Sequence, residues 1–177
     1  MIGTTVDNSA ATGRTLERLG TMGIRYYGFA LAADDVNSAR ADPNRFVHAA
    51  EHESIRHGWS DACLDKGWSV LQGLFGGLRW TMDGPSTRPA ARLVAGDVYY
   101  TPEGTYLPHY GVLTPEEMTE IAADIELVTA ADVDSYFDAE RRDRRGDIRY
   151  TCDLLRQAQT FCREVVSRGQ GAIYAIT

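Results

Sequence analysis

Asp65-Lys66-Gly67-Trp68 sets a carboxylate beside an amine, a pairing that cofactor-free acid–base chemistry or the binding of a small polar ligand can use. Asp65 has two readings. It can work in a cleft with Lys66, or it can cap the helix that follows, because Asp is a strong N-cap. Farther along, Tyr99, Tyr100, Tyr106, His109 and Tyr110 concentrate aromatic bodies with polar tips. Such residues suit ligand clefts and interfaces, and strand or turn packing accounts for them equally. His109 precedes a helix start, where partial positive charge favours a neutral imidazole or an anionic ligand. Asp65, Lys66, Tyr106, His109 and Tyr110 together form the candidate binding cleft.

A second constellation is His48-Ala-Ala-Glu51-His52. On a helix the two imidazoles lie one turn apart on one face, which suits zinc, with Glu51 alongside as a base. The neighbouring Glu53 and His57 make the whole stretch polar, and no downstream acidic ligand stands out, so an ordinary surface helix is the preferred reading. Cys63, Cys152 and Cys162 form no Cys-x-x-Cys pair and read as reduced, buried thiols. There is no phosphate-binding loop, nucleophile elbow or dinucleotide fingerprint, so no cofactor is expected. Arg141-Arg142-Asp143-Arg144-Arg145 is a basic run interrupted by acid and reads as a solvated linker.

The bulk properties narrow the partners. A chain of 177 residues with 44% hydrophobic residues can build one sizeable core. Its net charge of −7 disfavours sequence-independent nucleic-acid binding and docking on anionic lipid. A basic protein partner or a small molecule is easier to accept. No apolar run reaches the roughly 20 residues of a membrane helix, and no basic-then-apolar leader is visible. A cytoplasmic protein is expected.

The elements that would position these residues follow from periodicity and punctuation. Residues 1–21 are polar and read as an extension outside the core, with the domain proper over 22–177. Ile24 to Leu31 reads as a strand, and Asp34 to Ala41 as a short helix. Asp42-Pro43 starts another helix, with Phe46, Val47 and Ala50 on its apolar side. Leu64, Trp68, Leu71 and Phe75 fall at helical spacing, which predicts a helix over 64–74 ended by Gly76-Gly77. Ala91 to Tyr100 is expected as a strand or a bent strand pair. Pro102 to Gly104 is a turn, and an extended aromatic stretch then runs into Thr114-Pro115-Glu116-Glu117. That tetrad carries a capping box with proline at the first helical position. Met118, Ile121, Ala122 and Ile125 line the helix it starts. A weaker box at Thr129 to Asp132 opens a short helix with Val133, Tyr136 and Phe137 buried. A long helix over 147–168 and a final strand over 172–176 complete the chain. The expected fold is α+β: a single domain with a mixed sheet, including the first and last core strands, packed with several helices.

Met22-Gly-Ile-Arg-Tyr-Tyr27, Leu64-Asp-Lys-Gly-Trp68 and Tyr110-Gly-Val-Leu-Thr-Pro-Glu-Glu117, with a closing helix and strand, resemble the YfbM-like bacterial domains of unknown function (domain of unknown function 1877). The likeness spans about Met22 to Thr177 and is greatest to an actinobacterial branch. The chain departs from the common pattern after Trp68, where Ser69-Val-Leu-Gln72 stands in place of histidines that many relatives carry. The resemblance implies an α+β fold and a bacterial cytosolic protein, and no established activity. Two functional readings follow. The first is a non-catalytic binding or accessory domain for a protein partner or small ligand, with neutralisation of a toxin as one form. The second is a cofactor-free enzyme using Asp65, Lys66 and His109 in a closed cleft.

Overall fold

A computed structural model of the chain describes residues 24–76, 88–139 and 145–177. The expected N-terminal extension and the stretch 141–144 of the charged linker lie outside the described residues. Strand β1 (Tyr26–Leu31) is followed by a 3₁₀ turn (Ala33–Asp35) and helix α1 (Val36–Ala41). Helix α2 (Pro43–His57) then starts at Asp42, whose side chain accepts from the Arg45 amide, with Pro43 in the first turn. Strand β2 (Ala62–Asp65) and helix α3 (Trp68–Leu74) come next, then a 3₁₀ helix (Pro89–Val94). Two short strands, β3 (Tyr99–Tyr100) and β4 (Tyr106–Leu107), precede β5 (His109–Leu113). Helices α4 (Pro115–Ile125), α5 (Ala130–Ala139) and α6 (Arg145–Ser167) lead into β6 (Gly171–Ile176).

The main sheet has the order β2-β1-β6-β5, so the first and last core strands are central neighbours. Each of its pairings is antiparallel, which corrects the mixed sheet expected from the sequence. Parallel neighbours need a crossover that returns the chain to the same end of the sheet, and none joins these strands. Helices cover both faces. Phe29, Leu31, Ile173 and Ala175 pack with α1 and α2 on one side. Tyr26, Ala30, Tyr174 and Ile176 pack with α3 to α6 and the 3₁₀ helix on the other. All six residues of β6 are buried, so its apolar residues run without alternation, as in any strand covered on both faces.

Both capping boxes form. The Thr114 hydroxyl accepts from the Glu117 amide at 3.2 Å while the Glu117 carboxylate accepts from the Thr114 amide at 2.8 Å. Asp132 returns the same service to the Thr129 amide at 2.8 Å. Met118, Ile121 and Ile125 are fully buried on α4, as their spacing requires, whereas Ala122 is half-buried.

Two expectations fail in the region between. Leu64 and Asp65 end a strand and do not start a helix, which begins only at Trp68. Leu64, Trp68, Leu71 and Phe75 all face one core nonetheless, so a strand, turn and helix in succession satisfy the spacing that a single helix would. Ala91 to Val94 is 3₁₀ and not strand. Pro89 sets the first turn, and Asp124 accepts from the Ala90 amide at 2.9 Å while pairing with Arg88 at 3.0 Å.

Candidate functional site

Asp65 ends β2 at one corner of the sheet, with Tyr26 opposite it. The pairing slips between Tyr26 and Tyr27, so that Cys63 faces Tyr27 and Leu64 is the extra residue of a β-bulge. Asp65 then takes a φ of +44°, the one non-glycine residue with positive φ among the described residues. It therefore does not cap α3, whose N-cap position is Gly67. Its carboxylate is held by neighbours. Arg25 forms an ion pair with Oδ1 at 3.1 Å, without the alignment of a hydrogen bond, and the Tyr150 hydroxyl donates to Oδ2 at 3.1 Å. The Tyr150 phenol is pushed up to about 12, by burial first and then by the carboxylate it faces, so it stays protonated as the donor. Lys66 is exposed at the turn.

His109 stands on the opposite edge strand. The register Asp65–Tyr26–Ile176–His109 places both residues in one row across the sheet. Three strand spacings separate them, about 14 Å between backbones. His109 and Tyr110 are successive strand residues and point to opposite faces. His109 lies against Tyr174, whereas Tyr110 turns towards α2 and donates to Asn44 at 2.8 Å. Tyr106 belongs to the small β3–β4 ribbon. The five candidate residues therefore do not converge into one cleft. On α2, His48 and Glu51 are half-buried and His52 is exposed. No group of three metal-binding side chains converges among the described residues.

The structure draws a different set together around the β3–β4 ribbon. The chain reaches it through residues 92–96, which are pinned by buried side chains from other elements. The Tyr26 hydroxyl donates to the Leu93 carbonyl at 2.8 Å. Tyr174 donates to the Ala95 carbonyl at 2.8 Å and also lies near that of Arg92. The Gln72 amide donates to the carbonyls of Val94 and Gly96. Gly96 has a φ of +111° and rests directly on the His109 ring, where a Cβ would come within 2.2 Å of ring atoms. Burial drives the pKa of His109 below the ordinary histidine range, with Asp97 partly opposing it. The neutral imidazole suggested by the sequence is thus favoured by desolvation.

Beyond this root the ribbon is open to solvent. Thr101 and Thr105 close it around Pro102-Glu103-Gly104, with Gly104 in the left-handed region, the form of a short hairpin loop with a glycine bulge. Tyr99 pairs with Leu107, and Tyr100 with Tyr106, the latter two rings meeting edge to face at 6.4 Å. Tyr106 packs partly into the core. Tyr99 is 70% exposed, Tyr100 69% and Leu107 57%. The sequence groups these tyrosines together. Which two are left uncovered depends on the anchors of residues 92–96, which lie far away in the chain.

A cavity of about 320 Å³ opens elsewhere, between the end of α3 and α5, lined by Leu74, Arg88, Val128, Asp132 and Tyr136. Its charged groups are engaged, Arg88 with Asp124 and Asp132 with Thr129. All three thiols are pushed up by burial, the opposite of what an activated cysteine nucleophile needs.

The fold has a counterpart among solved structures. A protein of unknown function, YfbM from Escherichia coli, superposes with a TM-score of 0.53 at 15% identity, covering 86% of this chain and 99% of that one. No curated protein matches. The family model of a domain of unknown function, DUF1877, matches residues 22–175, and the chain belongs to that family.

Proposed function

We propose that the chain is a bacterial cytoplasmic binding domain that engages a protein partner through the β3–β4 ribbon. The observation that carries this reading is the exposure of Tyr99, Tyr100 and Leu107 on a ribbon whose root is fixed by Tyr26, Gln72 and Tyr174. Large aromatic side chains on a rigid support are the usual anchors of protein interfaces, because little conformational freedom is lost when they are covered. The enzyme reading needs Asp65, Lys66 and His109 in one cleft, and the register sets Asp65 and His109 on opposite edges of the sheet. The carboxylate of Asp65 is already committed to Arg25 and Tyr150.

A photo-crosslinking residue in place of Tyr100, compared with one in place of the exposed Ile55 on α2, tests the reading in cells of the source bacterium. A discrete adduct at position 100, absent at position 55 and lost when Tyr99→Ala is added, is the expected result. The same adducts at both positions, or none at position 100, would overturn it.

A further inference from the structure

We infer that the ribbon receives an arginine-rich segment of the partner protein, an inference that rests on the binding reading above. From Leu93 to Glu140 the chain holds eleven acidic residues and no Lys or Arg; Glu117, Glu120, Asp124 and Glu126 are paired with arginines from other elements, whereas Asp97 and Glu103 form no ion pair among the described residues. The ribbon lies within that stretch. Asp97 at its root and Glu103 at its tip are both exposed, and the two open tyrosines lie between them. Arg92, the nearest basic residue before the ribbon, is paired with Glu117 and Glu120.

Tyrosine faces flanked by carboxylates attract cations by two routes at once, through the ring quadrupole and through charge. Arginine fits better than lysine, because its planar, weakly hydrated guanidinium stacks on an aromatic ring while its donors reach a carboxylate. Tyr99 and Tyr100 are adjacent on a strand, so they present rings on opposite sides of the ribbon. An extended segment with arginines spaced to reach both sides would straddle it. The surface is a protrusion and not a pocket, which favours a polypeptide over a small cation. The same acidity repels phosphate and so disfavours nucleic acid and anionic lipid.

The test uses the full chain and a labelled short peptide alternating arginine and glycine, read by fluorescence anisotropy at low salt. Matched lysine–glycine and glutamate–glycine peptides serve for comparison. The arginine peptide should bind, the lysine peptide more weakly and the glutamate peptide not at all. Tyr99→Ala/Tyr100→Ala and Asp97→Asn/Glu103→Gln should each weaken the arginine peptide about tenfold, the loss expected when a stacked or charge-paired contact worth on that order is removed. Asp134→Asn/Asp138→Asn removes the same charge from exposed positions of α5 and should leave binding unchanged. An equal loss from the α5 variant, or equal binding of the glutamate peptide, or no binding of the arginine peptide, would overturn the inference. The crosslink separates the two levels. An adduct at position 100 to an acidic or apolar segment removes the arginine inference and leaves the binding reading standing, whereas no adduct removes both.

Discussion

Asp65 and Gly96 both sit where the chain leaves a packed element with positive φ, at +44° and +111°. The surroundings differ. At the Asp65 corner the polar groups close on one another: Arg25 pairs with the Asp65 carboxylate, Tyr150 donates to it, and an exposed lysine is left beside them. At Gly96 the buried side chains of Gln72, Tyr26 and Tyr174 grip backbone carbonyls, and what lies beyond the grip is open and aromatic. Strain and a shifted phenol mark the first region, yet its carboxylate is already used within the fold. The second has shifted groups of its own in His109 and Tyr174 and, beyond them, a large uncovered surface. Backbone strain alone therefore does not mark where this molecule leaves aromatic surface uncovered.

The largest effect separates residues two apart in the first region. Trp68→Ala should cost roughly 3–5 kcal/mol in denaturant unfolding, as truncation of a large core side chain does. Lys66→Ala should stay within about 0.5 kcal/mol. Equal losses would mean that Lys66 supports the fold, and that the corner is structural throughout.

Next comes Gly96→Ala, expected to cost roughly 2–4 kcal/mol through left-handed strain and collision with the His109 ring. A milder outcome would show that the ribbon root yields, and the contrast between a gripped root and a free tip would weaken.

Asp65→Ala should destabilise more than Asp65→Gly, by about 1 kcal/mol, because glycine relieves the positive φ while both substitutions remove the carboxylate. If the two are equal, the contacts to Arg25 and Tyr150 outweigh the backbone at that corner.

The smallest effect is in pH dependence. His109 has a folded pKa below its unfolded value, so between those two values the unfolded chain binds the extra proton. The neutral ring's contribution is fully present above the ordinary histidine pKa of about 6.5, and stability falls as pH drops from there towards the depressed folded value. His109→Gln should flatten that part of the thermal-midpoint curve. An unchanged slope would assign it to other groups and leave the root insensitive to acid.

Much of the frame was legible because it depends on neighbours in sequence. Thr114, Pro115 and Glu117 announce α4, Asp42-Pro43 announces α2, and the end strands carry their apolar runs openly. What was not legible depends on distant partners. Leu64 and Asp65 look like the start of a helix because Trp68 and Leu71 continue the spacing, yet β1 recruits them into the sheet. Residues 91–94 look like a strand, yet Pro89, Asp124 and the hydroxyls of Tyr26 and Tyr174 hold them in a 3₁₀ helix. The candidate cleft failed for the same reason. Asp65 and His109 each stand out on local grounds, and only the strand order fixes how far apart they lie.

The ribbon's two ends meet at its root, where Gly96 rests on His109, while Pro108 interrupts the backbone between β4 and β5. Pro108 has no amide proton to extend the sheet ladder outward. Residues 99–105 are thus a cassette on a closed hinge of fixed width. Their sequence and length can drift, or be replaced by a designer, with little consequence for the core. Domains sharing this scaffold are therefore least constrained in sequence at this ribbon.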